Sequence, residues 1–237
     1  MRMKKFMFLG FVFFVIAGGL GYMAWRGVEE SKDNQPTGTE QVADTTPKPA
    51  SQTAKYKVVV DFSWSQATHP GSYPEGAHLS PIVLAVHNSE QALFTNGTQA
   101  SLGIEDMAET GATTSLAGEL DEAKITYVLG KRVDAPGSYE FEIEVNQTDS
   151  LVSLVSMLAP SPDWFVGLDG TKLFDNGTWL ESVQYDLQAY DAGTDNGTDW
   201  TSANADTQPH GLISSPSSSV FETAAATPFG TATFTKL

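Results

Sequence analysis

Cysteine is absent from the 237-residue chain. The fold therefore contains no disulfide, and no thiol follows the N-terminal apolar run to accept a lipid. The sequence also presents no nucleophile–base arrangement. Basic residues are scarce, with 13 Lys and Arg against 29 Asp and Glu, a net charge of −16. So acidic a surface repels nucleic acid and anionic lipid and favours cations or basic partners, unless it serves solubility alone. Helical periodicity is lacking almost throughout. Apolar runs long enough to cross a bilayer are lacking except at the N-terminus.

That exception is Phe6 to Trp25, twenty uncharged and mostly apolar residues between Lys5 and Arg26. At 1.5 Å rise per residue this length matches a ~30 Å hydrocarbon core. A cleaved signal has a shorter apolar region and a small-x-small cleavage site, whereas Tyr22-Met23-Ala24 places a bulky Tyr at the −3 position. The reading is an uncleaved single-pass anchor over residues 1–26. Arg2, Lys4 and Lys5 keep the N-terminus inside. The remainder is then extracytoplasmic, periplasmic or at the cell surface, and secreted if the segment is cleaved. Ala17 and Gly21 form a small-xxx-small pair, more simply read as ordinary membrane-helix residues. Residues 27–54 are dominated by Glu, Asp, Gln, Thr, Pro, Lys and Ser, too polar to offset their ordering entropy, and read as a disordered linker. The exported part keeps nine of the 13 basic residues against all 29 acids, a net of −20.

Residues 55–237 are long enough for one domain that buries about 70% of its unfolded surface. Their period is two. Tyr56, Val58, Val60, Phe62 and Trp64 alternate with mostly polar residues. So do Tyr139, Phe141, Ile143 and Val145, and again Val183, Tyr185, Leu187 and Ala189; each pattern predicts a half-buried strand. Leu151 to Leu158 is a near-continuous apolar run, expected of a strand covered on both sides. Shorter candidates are Pro81–Val86, Ile125–Leu129 and Thr231–Lys236. Only Ala100–Glu109 and Leu116–Ala123 are candidates for short helices. The fold class is all-β, a two-sheet sandwich with few short helices.

Several motifs carry little chemistry. Asn96-Gly-Thr98, Asn176-Gly-Thr178 and Asn196-Gly-Thr198 fit both the glycosylation sequon and a tight turn, and the turn is the simpler reading; Asn146-Gln-Thr148 fits the sequon too. His69, His78 and His87 recur every nine residues, a spacing that suits no helix pair and no common zinc finger. The better candidate is a pair of Asp-bearing segments about thirty residues apart, Ala159-Pro160-Ser161-Pro162-Asp163-Trp164-Phe165 and Asp191-Ala192-Gly193-Thr194-Asp195-Asn196-Gly197. Asp191 and Asp195 flank Gly193, so a folded-back loop can turn both carboxylates to one point. Hard carboxylate oxygens on loops suit Ca²⁺, with its 6–8 oxygen ligands, and plain Asp-Gly turns remain the alternative. The spacing is not that of an EF-hand.

These two segments resemble the spondin N-terminal domain, the module of F-spondin, mindin and many bacterial exported proteins. Further matching residues are Phe62-Ser-Trp64-Ser, Thr68-His69-Pro70, Tyr73-Pro74, Ala77-His78-Leu79-Ser80, His87-Asn88, Gly97 to Gly103 and Ala108-Glu109-Thr110-Gly111. The resemblance implies a C2-like antiparallel β-sandwich with one Ca²⁺ at its edge, held by Asp163, Asp191 and Asp195. Phe174 stands where the family has a cysteine, and the thrombospondin repeats and reeler domain of animal members are missing. The function implied is recognition or adhesion rather than catalysis, with an unknown protein or glycan on the cell surface or matrix as partner. Two alternatives stand beside it. One is a structural or envelope-assembly protein with a stabilising Ca²⁺. The other is a Ca²⁺-dependent hydrolase drawing on Asp169, Asp199 or His210. Trp164, Trp179 and Trp200, if exposed beside the ion, would favour glycan recognition.

Overall fold

The computed structural model describes residues 51–221 and 227–237. The anchor expected over 1–26 and nearly all of the linker lie outside the described residues. Among the described residues no helix is long and apolar enough to cross a membrane.

In chain order the strands begin with β1 (Thr53–Phe62), β2 (His78–Leu79) and β3 (Val83–His87). Two helices follow, α1 (Leu102–Thr110) and α2 (Thr114–Ala123). After them come β4 (Thr126–Leu129), β5 (Val133–Asp134), β6 (Gly137–Asn146), β7 (Leu151–Ala159) and β8 (Trp164–Lys172). The series closes with β9 (Phe174–Asp175), β10 (Thr178–Trp179), β11 (Ser182–Asp191) and β12 (Gly230–Lys236). Every pairing is antiparallel, and the main path runs β4-β3-β7-β8-β11-β12-β1-β6. The architecture is a β-sandwich with two short helices. Thr53 and Ala54, assigned to the linker by composition, are already strand, because they pair with Asn146 and Val145 of β6.

The alternating strands bury the faces their patterns predict. Tyr56, Val58, Val60 and Phe62 on β1 meet Phe141, Ile143 and Val145 on β6 and Ala232 and Phe234 on β12 in one core. Burying such side chains stabilises by about 1.5–3 kcal/mol each. On β7 the run is covered on both sides. Val152, Leu154 and Leu158 join the main core, while Val155, Met157 and Ala159 face a second core formed with Ile104, Met107 and Ala108 of α1. The Ser residues within this run are satisfied internally: Ser156 Oγ donates to Ser80 O at 2.8 Å, and Ser153 Oγ lies 2.8 Å from His87 Nε2.

Caps hold the N-terminal end of α1. Ser101 Oγ accepts from Ile104 N at 3.2 Å, and the chain leaves α1 through Gly111 at φ 73°. Glu119 of α2 reaches back to accept from Gly103 N at 2.7 Å and from Ser101 Oγ at 2.6 Å. Capping bonds of this kind are worth about 1 kcal/mol.

Candidate metal centre

The two Asp segments meet because β8 and β11 are antiparallel neighbours. Trp164, which opens β8, is paired with Asp191, which ends β11. The Asp preceding β8 and the loop following β11 therefore lie at the same end of the sheet. Ala192 N continues the ladder by donating to Asp163 O at 3.1 Å. The 191–197 loop then runs beside residues 205–214. Asp191 and Ser214 exchange backbone bonds of 2.9 and 3.0 Å, Gly211 N donates to Gly193 O at 2.7 Å, and Thr207 N to Thr194 O at 2.8 Å. Gly193, at φ +74°, is packed so closely that a Cβ there would lie 2.9 Å from the Gly211 carbonyl carbon. Only glycine fits both the dihedral and the gap.

Asp163 is fully buried. Its Oδ2 accepts from Thr194 N at 2.8 Å, from Asp195 N at 3.1 Å and from Thr194 Oγ1 at 3.4 Å. Its Oδ1 has no hydrogen-bond partner. Asp191 Oδ1 accepts from Gly193 N at 2.9 Å, and its Oδ2 accepts from the Trp164 indole at 3.3 Å. Asp195, also buried, accepts from Gly197 N at 2.6 Å on Oδ1 and from Ala205 N at 2.6 Å on Oδ2. The loop thus folds around its own carboxylates.

Beneath them lies an aromatic floor. Trp164 and Trp200 meet edge-to-face at 4.9 Å, and Trp64, Phe221 and Phe229 complete the cluster. Burial, then the neighbouring charge of Asp191 and more weakly that of Asp195, pushes the Asp163 carboxyl up to about 6, against the pull of the two backbone N–H groups. Burial also raises Asp191, against the Gly193 N–H and the Trp164 indole. Among the described residues no Lys, Arg or His pairs with any of these carboxylates. A polar cleft of about 470 Å³, lined by Asp191, Asp195, Asn196, Thr198 and Ser217–Ser219, opens from the loop to solvent.

The donor set suits a hard cation in charge and in its orphaned buried oxygen. It does not amount to a cage of side chains. Among the described residues no group of three or more His, Asp or Glu converges closely enough to hold a metal. Backbone carbonyls and water would have to complete a shell, as Ca²⁺ commonly permits.

The other candidates are dispersed. His69 is buried, 2.9 Å from Thr68 Oγ1 and packed at a tilt against Phe229; burial holds its pKa below the ordinary value. His78 turns to Gly76 O at 2.7 Å, and His87 sits against Ser153. Asp169 is exposed on β8, and Asp199 caps the turn at Trp200 N at 2.6 Å. His210 lies 3.8 Å from Glu105 and 3.4 Å from Asp206. Trp164, Trp179 and Trp200 are all buried. Sequence reasoning missed Glu109, whose carboxyl faces Thr194 beside the site. Burial, with Glu105, Asp195 and Asp206 nearby, raises its pKa against the opposing pull of Thr194. No local signal marks this residue, because its partner is eighty-five positions away.

Comparison with known proteins bears on the family of the chain. A family model described as Spondin_N matches residues 54–237. Spondin-2 of Homo sapiens is 34% identical over 195 residues, covering 78% of this chain and 57% of that protein. Spondin-2 of Rattus norvegicus is 34% identical over 193 residues, 77% of this chain and 57% of the relative. Spondin-1 of Mus musculus is 35% identical over 173 residues, 68% of this chain and 21% of the relative. The match therefore spans a little over half of Spondin-2 and about a fifth of Spondin-1.

Proposed function

The chain belongs to the spondin N-terminal domain family, and on that premise we propose an extracytoplasmic adhesion or recognition module that is tethered to the membrane by residues 1–26 and binds Ca²⁺ through Asp163, Asp191 and Asp195. The observation that supports the cation is Asp163 Oδ1, a carboxylate oxygen with no partner, fully buried and flanked by two further acids. Leaving such a charge uncompensated is costly. When bound, Ca²⁺ supplies the missing countercharge. Asp163 already gathers the Thr194 and Asp195 N–H groups. Neutralising it therefore fixes residues 160–163 against 191–197 and gives the end of the sandwich one shape to present. Rigidly positioned loops of this kind are where binding surfaces form. The partner expected is a protein or glycan of the cell surface or matrix, and the tether keeps the module beside its own cell.

One observation favours a second reading. Trp164 and Trp200, beside the loops, are buried, and Trp179 is buried against Phe174 before the opposite end of β11, so none offers a ring for a sugar to stack on. A structural or envelope-assembly protein with a purely stabilising Ca²⁺ accounts for that equally well. Retention of protein-coated beads on cells or matrix separates the two. Ca²⁺-dependent retention that is lost with chelator and with Asp195→Ala supports the adhesion module. A Ca²⁺-dependent rise in melting temperature without Ca²⁺-dependent retention supports the structural role.

A further inference from the structure

Three Asn-Gly pairs occur in the described residues, at 96–97, 176–177 and 196–197, and the fold treats their glycine nitrogens differently. An Asn-Gly pair can modify itself. The glycine amide nitrogen gives up its proton to solvent base and attacks the Asn Cγ; a C–N bond forms, the bond to Nδ2 breaks, and ammonia leaves. Water then opens the resulting succinimide to Asp or isoAsp. The net change is an amide plus water giving an acid plus ammonia, with no oxidation or reduction. Attack requires that nitrogen to be free, since an N–H committed to an acceptor is both less available and fixed in direction.

In two pairs the nitrogen is committed. Gly97 N donates to Ile213 O at 2.8 Å, and Gly197 N donates to Asp195 Oδ1 at 2.6 Å. In the third, Gly177 N makes no hydrogen bond among the described residues, and open space surrounds the position where a Cβ would stand. Asn176 and Gly177 are both exposed and form the tip of the β9–β10 hairpin, with φ of +48° and +78°. That hairpin is a separate two-stranded sheet with only two paired positions on each strand. So short a ribbon opens locally at little cost. A single bond from Asn176 Nδ2 to Asp175 Oδ2, at 2.8 Å, holds the amide in place.

We infer that Asn176 is a site of spontaneous deamidation and isomerisation, and that Asp195 guards Asn196, inside the candidate metal centre, from the same reaction. The inference stands on the glycine N–H bonds and holds whether or not a cation binds. Conversion of Asn176 adds a carboxylate beside Asp175. The isoAsp product lengthens the backbone inside a turn whose two residues set the strand register, loosening Trp179, which packs on Phe174 at 4.7 Å and donates to Ser51 O at 2.8 Å.

The test is peptide mapping by mass spectrometry of the full chain, sampled through incubation in mildly alkaline buffer, beside the same chain unfolded in urea. The three sites should convert at similar rates when unfolded. When folded, Asn176 should convert several-fold faster than Asn96 or Asn196. Either of those matching Asn176 in the folded chain overturns the assignment. Asp195→Ala should accelerate Asn196 several-fold and leave Asn96 slow. Acceleration of both Asn96 and Asn196 in Asp195→Ala, or of neither, overturns the guarding role.

Discussion

Along β6, Glu140, Glu142 and Glu144 project into solvent, with Lys57 2.9 Å from Glu140 and Lys55 3.9 Å from Glu144. Beyond the end of β11 the acids are treated in the opposite way. Asp163 and Asp195 are buried over an aromatic floor, clustered with Asp191, and matched by no basic side chain among the described residues. The ladder has more charge in view and less energy at stake, since exposed ion pairs contribute about 0–1 kcal/mol. The buried set has fewer groups and a larger unmet demand. Net acidity alone therefore says little about where a site lies; burial without a countercharge says more.

The contrast can be broken most forcefully at Asp163. Asp163→Ala removes the acceptor of two backbone N–H bonds inside the fold. Each such bond to a charged group is worth ~1.5–3 kcal/mol, partly offset by the loss of a buried charge. A net loss of about 3 kcal/mol is expected, a fall in melting temperature of roughly 6–12 °C for a domain of this size, checked by calorimetry.

A pH titration of stability in chelator should show an effect of similar size. The folded Asp163 keeps its proton up to about 6, whereas the ordinary carboxyl releases it near 3.8. Between those values the folded state binds more protons, so stability falls as pH rises through the window and the loss is complete above it. The swing is about 3 kcal/mol. It should shrink in Asp163→Asn to the part contributed by Asp191 and Glu109, whose carboxyls burial also raises, and flatten with Ca²⁺ present. Denaturant midpoints across that pH range provide the check. On the ladder, Glu142→Gln should change stability by less than about 0.5 kcal/mol in either buffer, measured by the same midpoints. A larger change there would erase the distinction between the two regions.

Much of this was legible in the sequence because the signals are local. The alternation through Tyr56–Phe62 and Tyr139–Val145 names the buried faces of β1 and β6 correctly, and the unbroken run at 151–158 identifies the doubly covered β7. The short helices were placed within two residues of their ends. What sequence could not supply is long-range. Trp164–Lys172 is a full strand, yet its Gly167, Asp169 and Gly170 break the alternation, and its pairing with β7 and β11 makes it one. The site divides along the same line. The two Asp segments were visible as motifs. That Asp163 would hold the 194–195 backbone, that Asp191 and Asp195 would cap their own loop, and that the nearby tryptophans would form a floor all depend on the β8–β11 register.

Ca²⁺ binding at the buried acids is tested most directly by thermal unfolding of the protein in chelator, then in millimolar Ca²⁺ or Mg²⁺, with Asp195→Ala alongside. At one hundred times its Kd a ligand adds about 2.7 kcal/mol. We expect a Ca²⁺-selective rise in melting temperature that Asp195→Ala largely abolishes. An unchanged melting temperature in Ca²⁺, or an equal rise in the variant, would contradict it.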